Sequence, residues 1–189
     1  MKHDKKWIKD KTEFLLTMDD LKRQEIIDRM MAACDREEER FVIAMHYIFG
    51  LRPGELITME TDNFLVVGNL LNVKIKTLKG GVQREIRLDI NTTPFLKNVI
   101  LPFIQKKQGR LFDWNHTTNI NAVFKKVKKK LGENYEFNPN VFRHFRLSWL
   151  GYKGANIMQL KAWKGARSYE SIEPYLDYKP ITEFERSIR

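Results

Sequence analysis

Between Phe64 and Leu88 the sequence FLVVGNLLNVKIKTLKGGVQREIRL abandons the three-to-four-residue apolar spacing of its flanks and alternates instead, with β-branched residues prominent. Gly68-Asn69 and Lys79-Gly80-Gly81 interrupt it, so it reads as three short antiparallel strands joined by two tight turns. Everything else with a clear period is helical. The expected fold is therefore α+β and mainly α, a helical body carrying a small three-stranded antiparallel sheet. With 189 residues, 42% of them hydrophobic, the chain has material for one well-packed domain.

The helices announce themselves by caps and faces. Thr17 precedes MDDLKRQEIIDRMMAAC, where Asp19 and Asp20 suit the positive end of a helix that runs to about Ala33. A second helix, about Glu37 to Phe49, is apolar enough to be core, and Gly50 ends it. Pro53 suits the first position of a short helix beginning in Leu51-Arg52-Pro53-Gly54-Glu55-Leu56, which leaves Arg52 at a helix-helix junction. Further helices are expected over about Pro94 to Lys107 and Asn119 to Leu131. The rest is helical, with breaks near Gly132 to Pro139, Gly154 and Gly165. Residues 1–12 read as a basic N-terminal arm or linker.

The net charge of +10 points to a polyanionic partner, nucleic acid before an acidic membrane. No apolar run is long enough to span a bilayer, and the N-terminus has no signal core, so a cytoplasmic, DNA-associated protein is expected. The single cysteine, Cys34, and four scattered histidines show no metal-ligand spacing, and neither metal nor cofactor is expected. Residue by residue the polar features are ordinary. Arg52 and Arg143 could be ion-paired or packed stems, Lys79 a hairpin tip, Tyr175 a core aromatic, and most of the lysines from Lys125 to Lys130 solvated.

Their order and spacing resemble the catalytic domain of the tyrosine recombinases, the phage-integrase family, over nearly the whole chain from Phe14 on. IFGLRPGELITMETDNF is similar to the segment that carries the first catalytic arginine, with a glutamate three residues later, here Arg52 and Glu55. KIKTLKGGVQREIRL resembles the strand-turn-strand with a catalytic lysine at the turn and an arginine five residues on, here Lys79 and Arg84. Asn140-Val-Phe-Arg143 stands where the family has His-x-x-Arg, and Tyr175 follows Arg143 in the register of the nucleophile. A divergent integrase of the kind found in archaeal viruses and plasmids is one form such a resemblance takes. On this resemblance residues 13–189 form the catalytic domain, 179–189 its C-terminal tail, and the family's N-terminal core-binding domain is not present.

The resemblance implies a site-specific recombinase that cleaves and rejoins double-stranded DNA through a 3′-phosphotyrosyl intermediate, with Arg52, Lys79, Asn140, Arg143 and Tyr175 as its catalytic residues. Arginine suits a pentacoordinate phosphorus because it stays ionised and donates two parallel hydrogen bonds. A tyrosine ester conserves the energy of the broken phosphodiester. Arg84, Lys125, Lys126 and Lys129 are expected to contact DNA, as are His144, Lys164 and Arg167. Two positions depart from the family. Asn140 can donate a hydrogen bond but cannot shuttle a proton, and Ala166 stands where His or Trp is usual, with Trp163, Lys164 and Arg167 nearby. Tyr169 and Tyr178 compete with Tyr175 for the nucleophile's role. The alternatives are a DNA-binding protein that kept the fold without the activity, and a type IB topoisomerase-like relaxing enzyme. The tail ITEFERSIR has one apolar face, and self-association on DNA through it is expected.

Overall fold

The structure is a computed structural model, which describes residues 5–77 and 83–176. The first helix, α1 (Lys5–Thr17), covers most of what the sequence suggested was an arm. Thr12 and Leu15 are buried, Trp7 and Ile8 pack on the core, and the Thr12 hydroxyl donates to the Ile8 carbonyl. Apolar residues scattered through a lysine-rich segment were enough to dock it. Thr17 is consequently the end of a helix and not a cap. The cap of α2 (Asp20–Ala32) is Asp19, whose carboxylate accepts from the Lys22 amide at 2.8 Å. Between the two helices Arg23 is buried, donating to the Leu15 and Met18 carbonyls at the end of α1.

The helix α3 (Glu37–Phe49) runs through the core with Phe41 to Met45 all buried. Three glutamates in its first turn face the positive end of its dipole, and Gly50 ends it with φ +60, a left-handed conformation that side chains resist. Fully burying a Phe or Ile here contributes about 1.5–3 kcal/mol. The chain turns at once into α4 (Pro53–Ile57), with Pro53 at its first position and Arg52 at its cap.

The sheet has order β1-β2-β3, with β1 (Phe64–Val67), β2 (Leu70–Lys76) and β3 (Gln83–Asp89) antiparallel throughout. Val67 pairs with Leu70 across a two-residue turn in which Gly68 has φ +58. Leu71, Val73, Ile75 and Ile86 bury one face against the helices. The outer strand differs, because Leu65, Val66 and Val67 are all exposed. The second turn, with Lys79, lies outside the described residues.

A π-helical turn, Leu96–Ile100, leads into α5 (Leu101–Gln105), so the helix expected from Pro94 is present with an irregular first half. Then come α6 (Thr117–Leu131), α7 (Pro139–Tyr152), α8 (Ile157–Lys164) and the short α9 (Glu173–Leu176). α7 is the hub of the second half, touching α1, α3, α8 and α9. No helix among the described residues is long and apolar enough to cross a membrane.

Candidate active site

The site forms where the ends of α3 and α8 meet the start of α4 and the middle of α7. Glu55, 1% exposed, is its centre. One carboxylate oxygen is 3.0 Å from Arg52 Nη1. The other is 2.7 Å from Arg84 Nη2 on β3 and 3.6 Å from Arg143 Nη1 on α7. The second oxygen also accepts from the Arg52 amide at 2.8 Å, so Glu55 caps α4 while neutralising the arginines. Three guanidinium groups around one buried carboxylate leave an excess of positive charge at one spot.

Arg143 is held by main-chain carbonyls as well. Its Nη1 donates to the Gly50 carbonyl at 2.7 Å and its Nη2 to the Lys164 carbonyl at 2.8 Å, at the ends of α3 and α8. Cations are favoured there because helix dipoles end negative. Arg84 Nη1 donates in the same way to the Trp163 carbonyl, and the Trp163 indole donates to the Phe49 carbonyl at 3.1 Å. Burial, then the neighbouring Arg84, pull Arg143 down to about 10, which leaves it charged at neutral pH. Arg52 differs in one respect that matters: its side chain is 45% exposed, so it keeps a face open to an incoming anion.

Tyr175 lies on α9, 5% exposed, in a small cluster with Leu147, Leu160 and Ile172. Its hydroxyl is 3.1 Å from His144 Nδ1, and the Lys164 ammonium sits 4.9 Å from its ring centroid. Burial raises the phenol above its usual range while Arg143 and Arg52 pull against the shift. Lys164 is pulled down to about 8 by burial and by Arg143 and Arg52, and its ammonium donates to the Ser171 carbonyl. His144 is lowered by burial, Lys164 and Arg143.

Of the expected residues, the structure thus brings together Arg52, Arg84, Arg143, His144, Lys164 and Tyr175. Asn140 is exposed one turn before Arg143 and lines a cleft of about 500 Å³ with Pro53 and Lys125. Lys126 is elsewhere, 2.7 Å from Asp35 and 2.8 Å from Glu39 near the start of α3. Lys129 is exposed on α6 and Arg167 is exposed beyond α8. Lys79 and Tyr178 lie outside the described residues. Tyr169 is remote in its contacts, donating to Met158 Sδ at 3.1 Å under the Lys161 ammonium. Ala166 packs on the Tyr175 cluster.

Sequence reasoning placed Glu55 in the family pattern but gave it no part in the site. Its signal was weak, a glutamate at the start of a short helix. It also gave His144 to DNA contact, although adjacency to Arg143 was the one hint of a place beside Tyr175. Among the described residues no group of three or more His, Cys, Asp or Glu could hold a metal ion.

A fold of helices around a three-stranded sheet, with clustered arginines facing a tyrosine, is that of the tyrosine recombinase catalytic domains. The sequence pattern of the phage integrase family matches residues 18–180, and the chain belongs to that family. It is 23% identical over 149 residues to tyrosine recombinase XerA of Saccharolobus solfataricus, covering 79% of this chain and 49% of that protein. The chain therefore spans about half the length of this curated relative. Among solved structures, the XerA recombinase superposes with a TM-score of 0.67 at 16% identity, over 87% of this chain and 63% of that one. XerH bound to its difH substrate gives 0.65 at 15% identity, over 86% and 52%. The catalytic domain of bacteriophage HP1 integrase gives 0.58 at 21% identity, over 87% and 90%. These likenesses are of fold.

Proposed function

We propose that this chain is the catalytic portion of a site-specific DNA recombinase that breaks and rejoins strands through a 3′-phosphotyrosyl intermediate. The observation that carries the reading is the meeting of Arg52, Arg143 and Tyr175 around one pocket of positive charge. Arg143, already oriented by two carbonyls, and the half-exposed Arg52 clamp the non-bridging oxygens of the scissile phosphate as charge develops on them. Asn140 adds a hydrogen bond to phosphate. The Tyr175 oxygen attacks phosphorus, the bond to the 5′-oxygen breaks, and Lys79 gives that oxygen its proton. Lys125, Lys129, Lys164 and Arg167 contribute to holding duplex DNA through its phosphates. Arg84, expected to contact DNA, instead has a side chain only 2% exposed and engaged with Glu55, so its part is to hold the site together. Two neighbours in fold, XerH and the Tn1549 transposon integrase, are complexes with DNA. The C-terminal tail makes contacts between copies on DNA.

The experiment is covalent trapping on a nicked suicide duplex carrying a candidate attachment site. The wild-type chain forms a protein-DNA adduct, Tyr169→Phe and Tyr178→Phe retain it, and Tyr175→Phe abolishes it. An adduct with Tyr175→Phe would assign the nucleophile elsewhere, and DNA binding without any adduct would make the chain a binder only.

A further inference from the structure

We infer that His144 is the general base that takes the proton of the Tyr175 hydroxyl as that oxygen attacks phosphorus. The inference rests on the proposal that Tyr175 is the nucleophile and adds the group that makes it reactive.

The starting point is a gap in the proton inventory. A buried phenol is a poor nucleophile until its proton has somewhere to go. Asn140 cannot receive it, since an amide has no basic lone pair at neutral pH. Arg52 and Arg143 cannot, being charged donors throughout. Lys164 presents an ammonium to the face of the tyrosine ring, the geometry of a cation stabilising the developing phenolate and not of a base on its oxygen. Ala166 has nothing to offer. His144 Nδ1, in contrast, is 3.1 Å from the hydroxyl oxygen, within reach for direct transfer.

The surroundings keep His144 in the form that accepts. Lys164 from α8 and Arg143 from α7 both disfavour an added positive charge, and burial acts in the same direction. From α1, Lys5, Lys9 and Glu13 line the cavity of about 610 Å³ that His144 and Tyr175 share, and Glu13 is 3.7 Å from Lys9. Lowered from its ordinary value, the imidazole is neutral at neutral pH, and the base role requires the tautomer with its proton on Nε2 and the Nδ1 lone pair toward the phenol. A bound phosphate changes the balance at the right moment, because its charge offsets Arg143 and Lys164 and so raises the basicity of the ring.

The step balances. The Tyr175 oxygen bonds to phosphorus as its proton moves to His144 Nδ1, giving an imidazolium, while the phosphorus-O5′ bond breaks and the 5′-oxygen is protonated from Lys79. In religation the 5′-hydroxyl attacks and gives its proton back to Lys79, while the phosphotyrosyl bond breaks and the imidazolium returns its proton to the Tyr175 oxygen.

The test compares adduct formation by the wild-type chain, Tyr175→Phe, His144→Ala and His144→Gln on ordinary suicide DNA and on DNA with a 5′-bridging phosphorothiolate. Thiolate leaves without a proton donor, so it rescues a missing acid but not a missing base. Both His144 variants are expected to slow adduct formation about 100-fold on both substrates. Added imidazole should restore part of the rate to His144→Ala. The wild-type rate should fall tenfold per pH unit below an inflection under about pH 6.5, an inflection the variants lack. DNA affinity and the far-UV circular dichroism should be unchanged. Wild-type rates for His144→Ala, rescue by phosphorothiolate alone, or a rate loss matched by lost DNA affinity would each overturn the inference. An adduct with Tyr175→Phe would instead overturn the choice of nucleophile.

Discussion

The main-chain carbonyl of Tyr175 rests directly over Gly151 of α7: a Cβ at Gly151 would stand 2.2 Å from that oxygen. The glycine is helical, and in an open helix alanine would be favoured there by about 0.5–1 kcal/mol. A contact this far inside van der Waals distance outweighs that preference, so α9 must move when a methyl is added. Gly151→Ala is expected to lower the adduct rate more than 10-fold while thermal unfolding and DNA binding change little, because the displacement falls on the short segment that carries the tyrosine. Suicide-substrate kinetics beside a thermal melt would decide it.

The two clamp arginines should separate in their effects on stability. Arg52 is half-exposed, and an exposed ion pair contributes about 0–1 kcal/mol, so Arg52→Ala should unfold at nearly the wild-type urea midpoint while losing about 100-fold or more in cleavage. Arg143 is buried and bonded to two carbonyls, and Arg143→Ala strands both along with part of the charge on Glu55. It should lose cleavage and also several kcal/mol of stability, on the order of 3.

Glu55 opposes two buried arginines, so neutralising it leaves them facing each other unpaired. Glu55→Gln should destabilise the fold by about 3–5 kcal/mol in urea titrations. Adding Arg84→Met should recover part of the loss, because the second change removes one of the stranded charges; simple additivity of the two would count against this account.

His46 predicts a pH dependence of stability that is set mainly by burial, with Glu55 pulling weakly against it. It is fully buried in α3 with Nδ1 2.8 Å from the Val42 carbonyl, and burial depresses it to about 4 against an ordinary 6.5. Between those values the unfolded chain binds more protons than the folded one, so stability is complete above about pH 6.5 and declines as pH falls toward 4. His46→Phe removes that decline. The gap in unfolding free energy between wild type and variant should shift in the variant's favour by on the order of 2–3 kcal/mol from pH 7 to pH 4.5.

Much of this architecture could be read from periodicity and caps. The helix Glu37–Phe49 and its glycine stop are where the sequence places them, as are Pro53 at the head of α4 and the three antiparallel strands. α1 escaped because its apolar residues are sparse among lysines, and its helix is fixed by contact with α7, a partner far along the chain. Arg84 and Glu55 illustrate the same limit at the site. Their pairing spans 29 positions and depends on how β3 is pressed against α4, which no local pattern encodes. The His144–Tyr175 contact likewise depends on Gly151 permitting α9 to lie close, and a lone glycine in a helical stretch reads as an imperfection.

The exposed Leu65, Val66 and Val67 on the outer strand set opposing demands on how the protein is handled. With a charge of +10, high salt is the obvious means of stripping bound nucleic acid during purification. Salting-out ions, however, strengthen the association of uncovered apolar surface, and an unpaired strand edge offers a template for it. Choosing chloride over sulfate for that step, and keeping the concentration low until the salt is removed, follows from one short strand.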